Sequence, residues 1–289
     1  MGDAMPTLDK TRFKHTWEEA IEILRDDPQH QTLIFDSYLT RDLVANCRRF
    51  AGSAEFEEAR ALLARHGGGG RRLLDMPGGG GIATYAFAAA GFEVTSVEPN
   101  PSATVGRGAI AHVLAEAGLE AEIVDAWGED LPFDPESFDA VYVRQGLHHA
   151  SDLPKMLSEI ARVLRPGGVL LACREHVVDN YGADLQAFLD AQPDHQLYGG
   201  EHAFLLRDYR SAILSAGLEL TLEFGPYESV INSYPNTPDV LRRKILASRA
   251  GRLLRKVLPE ETVVSIGAWR VRHRKAPGRM YTFLARKPP

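Results

Sequence analysis

The stretch Leu73-Leu74-Asp75-Met76-Pro77-Gly78-Gly79-Gly80-Gly81-Ile82-Ala83 ends one short apolar run and opens another. Four consecutive glycines at that junction let a ligand approach the backbone, with the next helix N-terminus aimed at it. A plain surface linker has no reason to sit between a buried-strand pattern and a helix. A phosphate loop fits badly, because no Gly-Lys-Ser/Thr follows. Gly78, Gly80 and Ala83 match the dinucleotide pattern G-x-G-x-x-G/A, and Glu98 stands about 20 residues on, where a ribose-binding acid belongs. The loop by itself leaves open which nucleotide it serves.

Working outward, strand and helix patterns alternate. "RRLLDM", "FEVTSVEP", "AEIVDA", "FDAVYVRQ" and "GGVLLACREH" are short, apolar and rich in β-branched residues. "ATYAFAAAG", "AIAHVLAEAG" and "LPKMLSEIARVL" between them carry helical spacing. Such alternation predicts an α/β fold, a doubly wound and mostly parallel sheet with helices on both faces. "LELTLEF" and "MYTFLARK" add two strands near the C-terminus. Upstream, Thr16 and Glu19 form a capping box for "TWEEAIEIL", and "DLVANCRRF" and "AEFEEARALLARHG" continue the helical pattern. The expected organisation is a helical N-terminal cap (1–69), an α/β core (70–225), a lid insertion (226–279) and a closing core strand (280–289). "HGGGG" at 66–70 links cap to core.

Composition bounds the partners. A net charge of −6 over 289 residues argues against a nucleic-acid binder that works by neutralising phosphates. The basic run from Arg242 to Lys275 reads as a solvated helical face. The two cysteines, Cys47 and Cys173, form neither a CxxC pair nor a zinc pattern. No apolar run is long enough to span a membrane, and "MGDAMPTLDK" lacks a signal-peptide core and a convincing acylation signal. The expectation is a cytoplasmic monomer or homodimer with a small-molecule substrate and no nucleic-acid or membrane partner.

The residues around the glycine loop narrow the choice. Leu73–Gly81, then "VTSVEP", "DAWGEDLPF", "FDAVYVRQGLHH" and "RVLRPGGVLL", in this order, resemble the class I S-adenosylmethionine-dependent methyltransferases. The resemblance covers roughly residues 70–175 plus "MYTFLARK". It implies a Rossmann-like sheet of seven strands, the last antiparallel, with S-adenosyl-L-methionine as cofactor. The family's D-x-G-x-G-x-G loop falls on Asp75, Pro77, Gly79 and Gly81, so proline replaces its first glycine, and Gly78 offers extra backbone freedom. The resemblance further implies that Glu98 accepts both ribose hydroxyls and that Pro99 lies against the adenine. Asp125 would accept the adenine amino group, Ala126 or Trp127 would face the ring, and Arg144 and Gln145 would end the fourth strand where cofactor and substrate meet. Tyr38 is a candidate contact from above, or equally a core tyrosine.

A hydroxyl acceptor of high pKa would also need a base. The candidates are His149, His176, Glu201 and His202, drawn from a wider group that includes His148, Glu175 and His195. "YGGEHAF" (198–204) reads as a mobile polar loop. No tight ligand spacing predicts a metal. A nicotinamide-dependent oxidoreductase would share the loop and Glu98 but leave "DAWGEDLPF" and "RVLRPGG" unexplained. A non-catalytic regulatory protein of the same fold is the other rival.

Overall fold

The computed structural model describes residues 13–67 and 69–289, so "MGDAMPTLDK" lies outside the described residues. Eight strands build one sheet: β1 (Arg72–Asp75), β2 (Glu93–Val97), β3 (Glu122–Val124), β4 (Phe138–Arg144), β5 (Leu164–Val178), β6 (Phe204–Leu205), β7 (Glu219–Phe224) and β8 (Arg279–Arg286). Their order is β3-β2-β1-β4-β5-β8-β7, with β6 paired to β5. Strands β1 to β5 pair in parallel, and β8 runs antiparallel to both β5 and β7. Seven strands match the expected ones. The eighth, β6, is only two residues long and lies at the far end of β5.

Side-chain alternation explains why the strands are apolar throughout. In β4, Val141 and Val143 face one helical layer while Ala140 and Tyr142 face the other. Helix Leu153–Val163 covers the first face with Leu157 and Ile160, which are fully buried. Helix Ile82–Ala89 covers the second with Phe87, whose ring meets Tyr142 at 4.9 Å and Phe56 at 4.9 Å. Phe50 and Phe56, from helices Leu43–Ala51 and Ala54–His66, extend this aromatic row and dock the N-terminal helices on the sheet.

The N-terminal helix Trp17–Asp26 starts at the predicted box. Thr16 Oγ1 accepts the Glu19 N–H, and the Glu19 carboxylate accepts the Thr16 N–H at 2.9 Å. Helices Pro238–Ala247, Arg249–Leu254 and Glu260–Arg272 fill the long connection between β7 and β8. They surround a cavity of about 710 Å³ that Tyr234 also lines.

Strand β5 shifts register against β4 between Leu164 and Val169, and again against β8. Its pairing with β8 gains an extra residue between Ala172 and Glu175, and Arg174 within that bulge has φ of 62°. The sheet order reverses between β1 and β4, so their carboxyl ends open a crevice at the switch point.

Candidate active site

That crevice is a cavity of about 560 Å³, within the range of small-molecule sites. Asp75, Pro77, Gly78, Gly79, Glu98, Pro99, Ala126, Trp127, Arg144, Gln145 and Tyr38 all line it. Gly81 does not; with φ of 85° it starts helix Ile82–Ala89. Asp125 departs from expectation. Its side chain is 66% exposed and pairs with Arg107 at 2.8 Å, turned away from the cavity.

Each loop position has a physical reason. A Cβ on Gly78 would lie 2.2 Å from Ser96 Oγ and 2.7 Å from Ile110 Cδ1, so only glycine fits. Gly79 needs positive φ, and a Cβ there or on Gly80 would meet nothing within 4 Å, which leaves open space above the backbone. Pro77 is accommodated by Gly146, where a Cβ would lie 2.4 Å from Pro77 Cδ. The proline therefore faces the turn after β4, and the Gly78 N–H behind it goes to the Val97 carbonyl at 2.9 Å.

Glu98 ends the turn after β2, 6% exposed. Its carboxylate accepts the N–H of Gly79 at 2.7 Å and of Asn100 at 2.9 Å, which ties the acid to the glycine loop. Burial pushes its pKa up, and those two N–H groups hold it back. Asp75 is buried at the end of β1 and accepts the Thr84 hydroxyl at 2.6 Å. Burial pushes its carboxyl up to about 7, against the Thr84 hydrogen bond. Trp127 stands at the rim, 66% exposed.

Arg144 lines the cavity but is already engaged. Its guanidinium donates to Glu55 at 2.7 Å and 3.3 Å and to Gln145 Oε1 at 3.0 Å. Burial opposes its charge, and Glu55 outweighs that to raise its pKa. Arg174 lies 3.7 Å from the same carboxylate and donates to the Ile231 and Tyr234 carbonyls. Tyr38 is buried with φ of 59°, its ring edge-on to Phe50 and its hydroxyl without a partner.

The histidines gather at the β5 end of the cavity. His148 Nδ1 donates to Glu175 at 2.8 Å, and Glu175 also accepts the N–H groups of Gly146, Leu147 and His148. His176 Nδ1 donates to the Gly278 carbonyl at 2.9 Å, and its ring centroid lies 4.9 Å from that of His148. Glu201 sits 3.6 Å from His148 Nε2 and accepts the Tyr198 hydroxyl at 2.8 Å. His149 Nδ1 donates to the Gly200 carbonyl at 3.1 Å.

Two expectations need correction here. Residues 200–203, expected as a mobile polar loop, are buried, with the Gly200 carbonyl bonded to His149 and Phe204 paired to the end of β5. His202 packs on Phe204 at 4.7 Å and does not line the cavity.

Of the two elements expected to close over the site, the N-terminal helices and the 226–279 insertion, only the first contributes to the roof among the described residues. The roof comes from Trp17, Ile21, Leu24 and Ile34 in the N-terminal helices and from the 192–201 segment, with Trp17 against Tyr198 at 4.8 Å. None of residues 226–279 lines this cavity. The sequence does not single out Glu55 or Arg174; Glu55 is one of three glutamates in "AEFEEA", which read together as a solvated helix face.

A family described as "Methyltransferase domain" matches residues 74–172. The match begins in β1, just before the glycine loop, and ends inside β5, so it covers the loop, Glu98 and the end of β4. The chain carries a methyltransferase domain over these residues. The methyltransferase domain is 38% identical over 105 residues to a demethylmenaquinone methyltransferase of Clavibacter sepedonicus, covering 36% of this chain and 41% of that one. Matches to such relatives reach 61% of their length, so the chain spans about half the length of the curated relatives it matches. Among solved structures, the [4+2]-cyclase SpnF shares the fold at a TM-score of 0.53 and 22% identity, over 80% of both chains. Geranyl diphosphate C-methyltransferase from Streptomyces coelicolor A3(2) does so at 0.53 and 17%, over 92% of this chain and 87% of that one. No helix among the described residues is long and apolar enough to cross a membrane.

Proposed function

We propose that the chain binds S-adenosylmethionine in this cavity and transfers its methyl group to an oxygen or nitrogen of a small-molecule acceptor. The observation that carries the reading is the hydrogen bond from the Gly79 N–H to buried Glu98, beside open space above the backbones of Gly79 and Gly80, inside a methyltransferase domain. A carboxylate has about four lone-pair sites. Two N–H donors leave Glu98 free to accept both ribose hydroxyls. Ala126 and Pro99 would flank the adenine, and Asp75 would meet the cationic amino-acid end.

When bound, the cofactor supplies an electrophilic methyl on a sulfonium, and the protein's task is alignment and exclusion of water. The apolar roof of Ile21, Leu24 and Ile34 excludes water and suits an acceptor with a hydrophobic body. His149 would take the acceptor's proton. Its Nδ1 hydrogen goes to the Gly200 carbonyl, which leaves Nε2 as a lone pair in a residue that lines the cavity.

Calorimetric titration with S-adenosylmethionine and, separately, with reduced nicotinamide cofactor tests the reading. Binding of the first alone, followed by transfer of labelled methyl to an acceptor, is the expected result. Preference for the nicotinamide overturns it, and tight binding without transfer to any acceptor favours a regulatory role.

The Asp75 carboxyl adds a pH dependence. A cation prefers the ionised carboxylate, and the ionised fraction rises with pH through the carboxyl's value of about 7. Affinity for S-adenosylmethionine should therefore climb roughly tenfold between about pH 6 and about pH 8. Asp75→Asn should flatten that rise, as measured by titration across the range.

A further inference from the structure

We infer that His148 Nε2, His176 Nε2 and a carboxylate oxygen of Glu201 form a binding site for a divalent transition metal such as zinc or ferrous iron, opening onto the cavity. One ligand atom from each residue lies within 4.8 Å of the others, and all three residues are buried. His148 Nε2 and Glu201 Oε2 are 3.6 Å apart, close to the separation of about 3.4 Å between ligands of a tetrahedral ion at zinc bond lengths. A side-chain shift of about 1 Å closes the widest gap to bonding range.

The outer partners are the second argument. Protein metal sites hold each ligand by its other polar atom, which fixes tautomer and aim. Here Glu175 holds His148 Nδ1, the Gly278 carbonyl holds His176 Nδ1, and the Tyr198 hydroxyl holds Glu201 Oε1. Both imidazoles thus keep Nε2 for a shared ligand. Glu175 and Glu201 also place two carboxylates in one buried cluster, with Asp194 beside Glu201, so a divalent cation would meet a complementary charge.

His148, His176 and Glu201 line the cavity, which leaves coordination positions open toward it. A metal there would hold an acceptor oxygen as its anion, facing the bound cofactor. That role rests on the methyl-transfer reading; the site itself does not.

The test is titration of untagged, chelator-treated protein with cobalt(II), followed by its visible absorption, with zinc as competitor. The expected result is one equivalent bound and displaced by zinc, lost in His176→Ala and weakened roughly 10–100-fold in Glu175→Gln. His112→Ala, on an exposed helix face, should bind as the parent does. No stoichiometric binding in the parent protein, or equal binding in His176→Ala, overturns the site and leaves a histidine–carboxylate network held by protons. S-adenosylmethionine affinity measured on the same samples separates the two ideas. Cofactor binding without cobalt binding sinks only the metal, and the reverse sinks only the methyl-transfer reading.

Discussion

Glu98→Ala should lower affinity for S-adenosylmethionine by roughly 10²–10⁴-fold. Two hydrogen bonds to a charged group are worth about 1.5–3 kcal/mol each, and both ribose hydroxyls lose their acceptor together. The same carboxylate organises the loop through the N–H groups of Gly79 and Asn100. Part of the loss would therefore come from a disordered glycine turn. Thermal unfolding alongside the titration separates the two contributions. A variant that melts as the parent does but fails to bind has lost ribose contacts; one that binds as the parent does removes Glu98 from the cofactor site.

Glu55→Gln should cost about 3–5 kcal/mol, because it strips the counter-ion from two buried guanidiniums. Glu55 is fully buried, and Arg144 at the end of β4 and Arg174 in the bulge of β5 both lean on it. For a chain of this size the melting temperature should fall by roughly 10 °C. High salt should do little to mimic the substitution, since the group is shielded from mobile ions. Replacing one arginine as well, in Glu55→Leu/Arg174→Met, should recover part of the loss, which a double-mutant comparison of melting curves would show. Full stability in Glu55→Gln would mean that the two arginines find other partners.

The sheet was readable because β-branched runs and helical periods alternate along most of the core. Every strand of five residues or more announced itself this way. Strand β6 did not, because two residues carry no period and its pairing depends on the length of β5. The loop was readable for a steric reason: Gly78 has no room for a Cβ and Gly79 needs positive φ. Pro77 looked like a fault in the motif until its partner, Gly146, was seen across the switch point.

Tertiary facts stayed hidden. Glu55 meets Arg144 across 89 residues, and nothing local distinguishes it from its exposed neighbours on the same helix. The stretch around Glu201 and His202 has the composition of a surface loop, and its burial is decided by segments distant in sequence. Asp125, expected at the adenine, pairs instead with Arg107 of the preceding helix in this structure, a contact that no local pattern announces.

The bulge in β5 acts as a switch of parity. Before it, odd-numbered Leu171 packs with Tyr142 and even-numbered Leu170 with Val141; after it, odd-numbered Val177 joins Leu170's side. One additional residue at Arg174 thus exchanges the faces of everything that follows, and Glu175 is turned toward Leu147 and His148 instead of toward the N-terminal helices. From Val169 through Cys173 the strand beneath holds one register with β4. A single inserted residue is in this way enough to re-address a whole strand end while the barrier of packed side chains below it goes undisturbed.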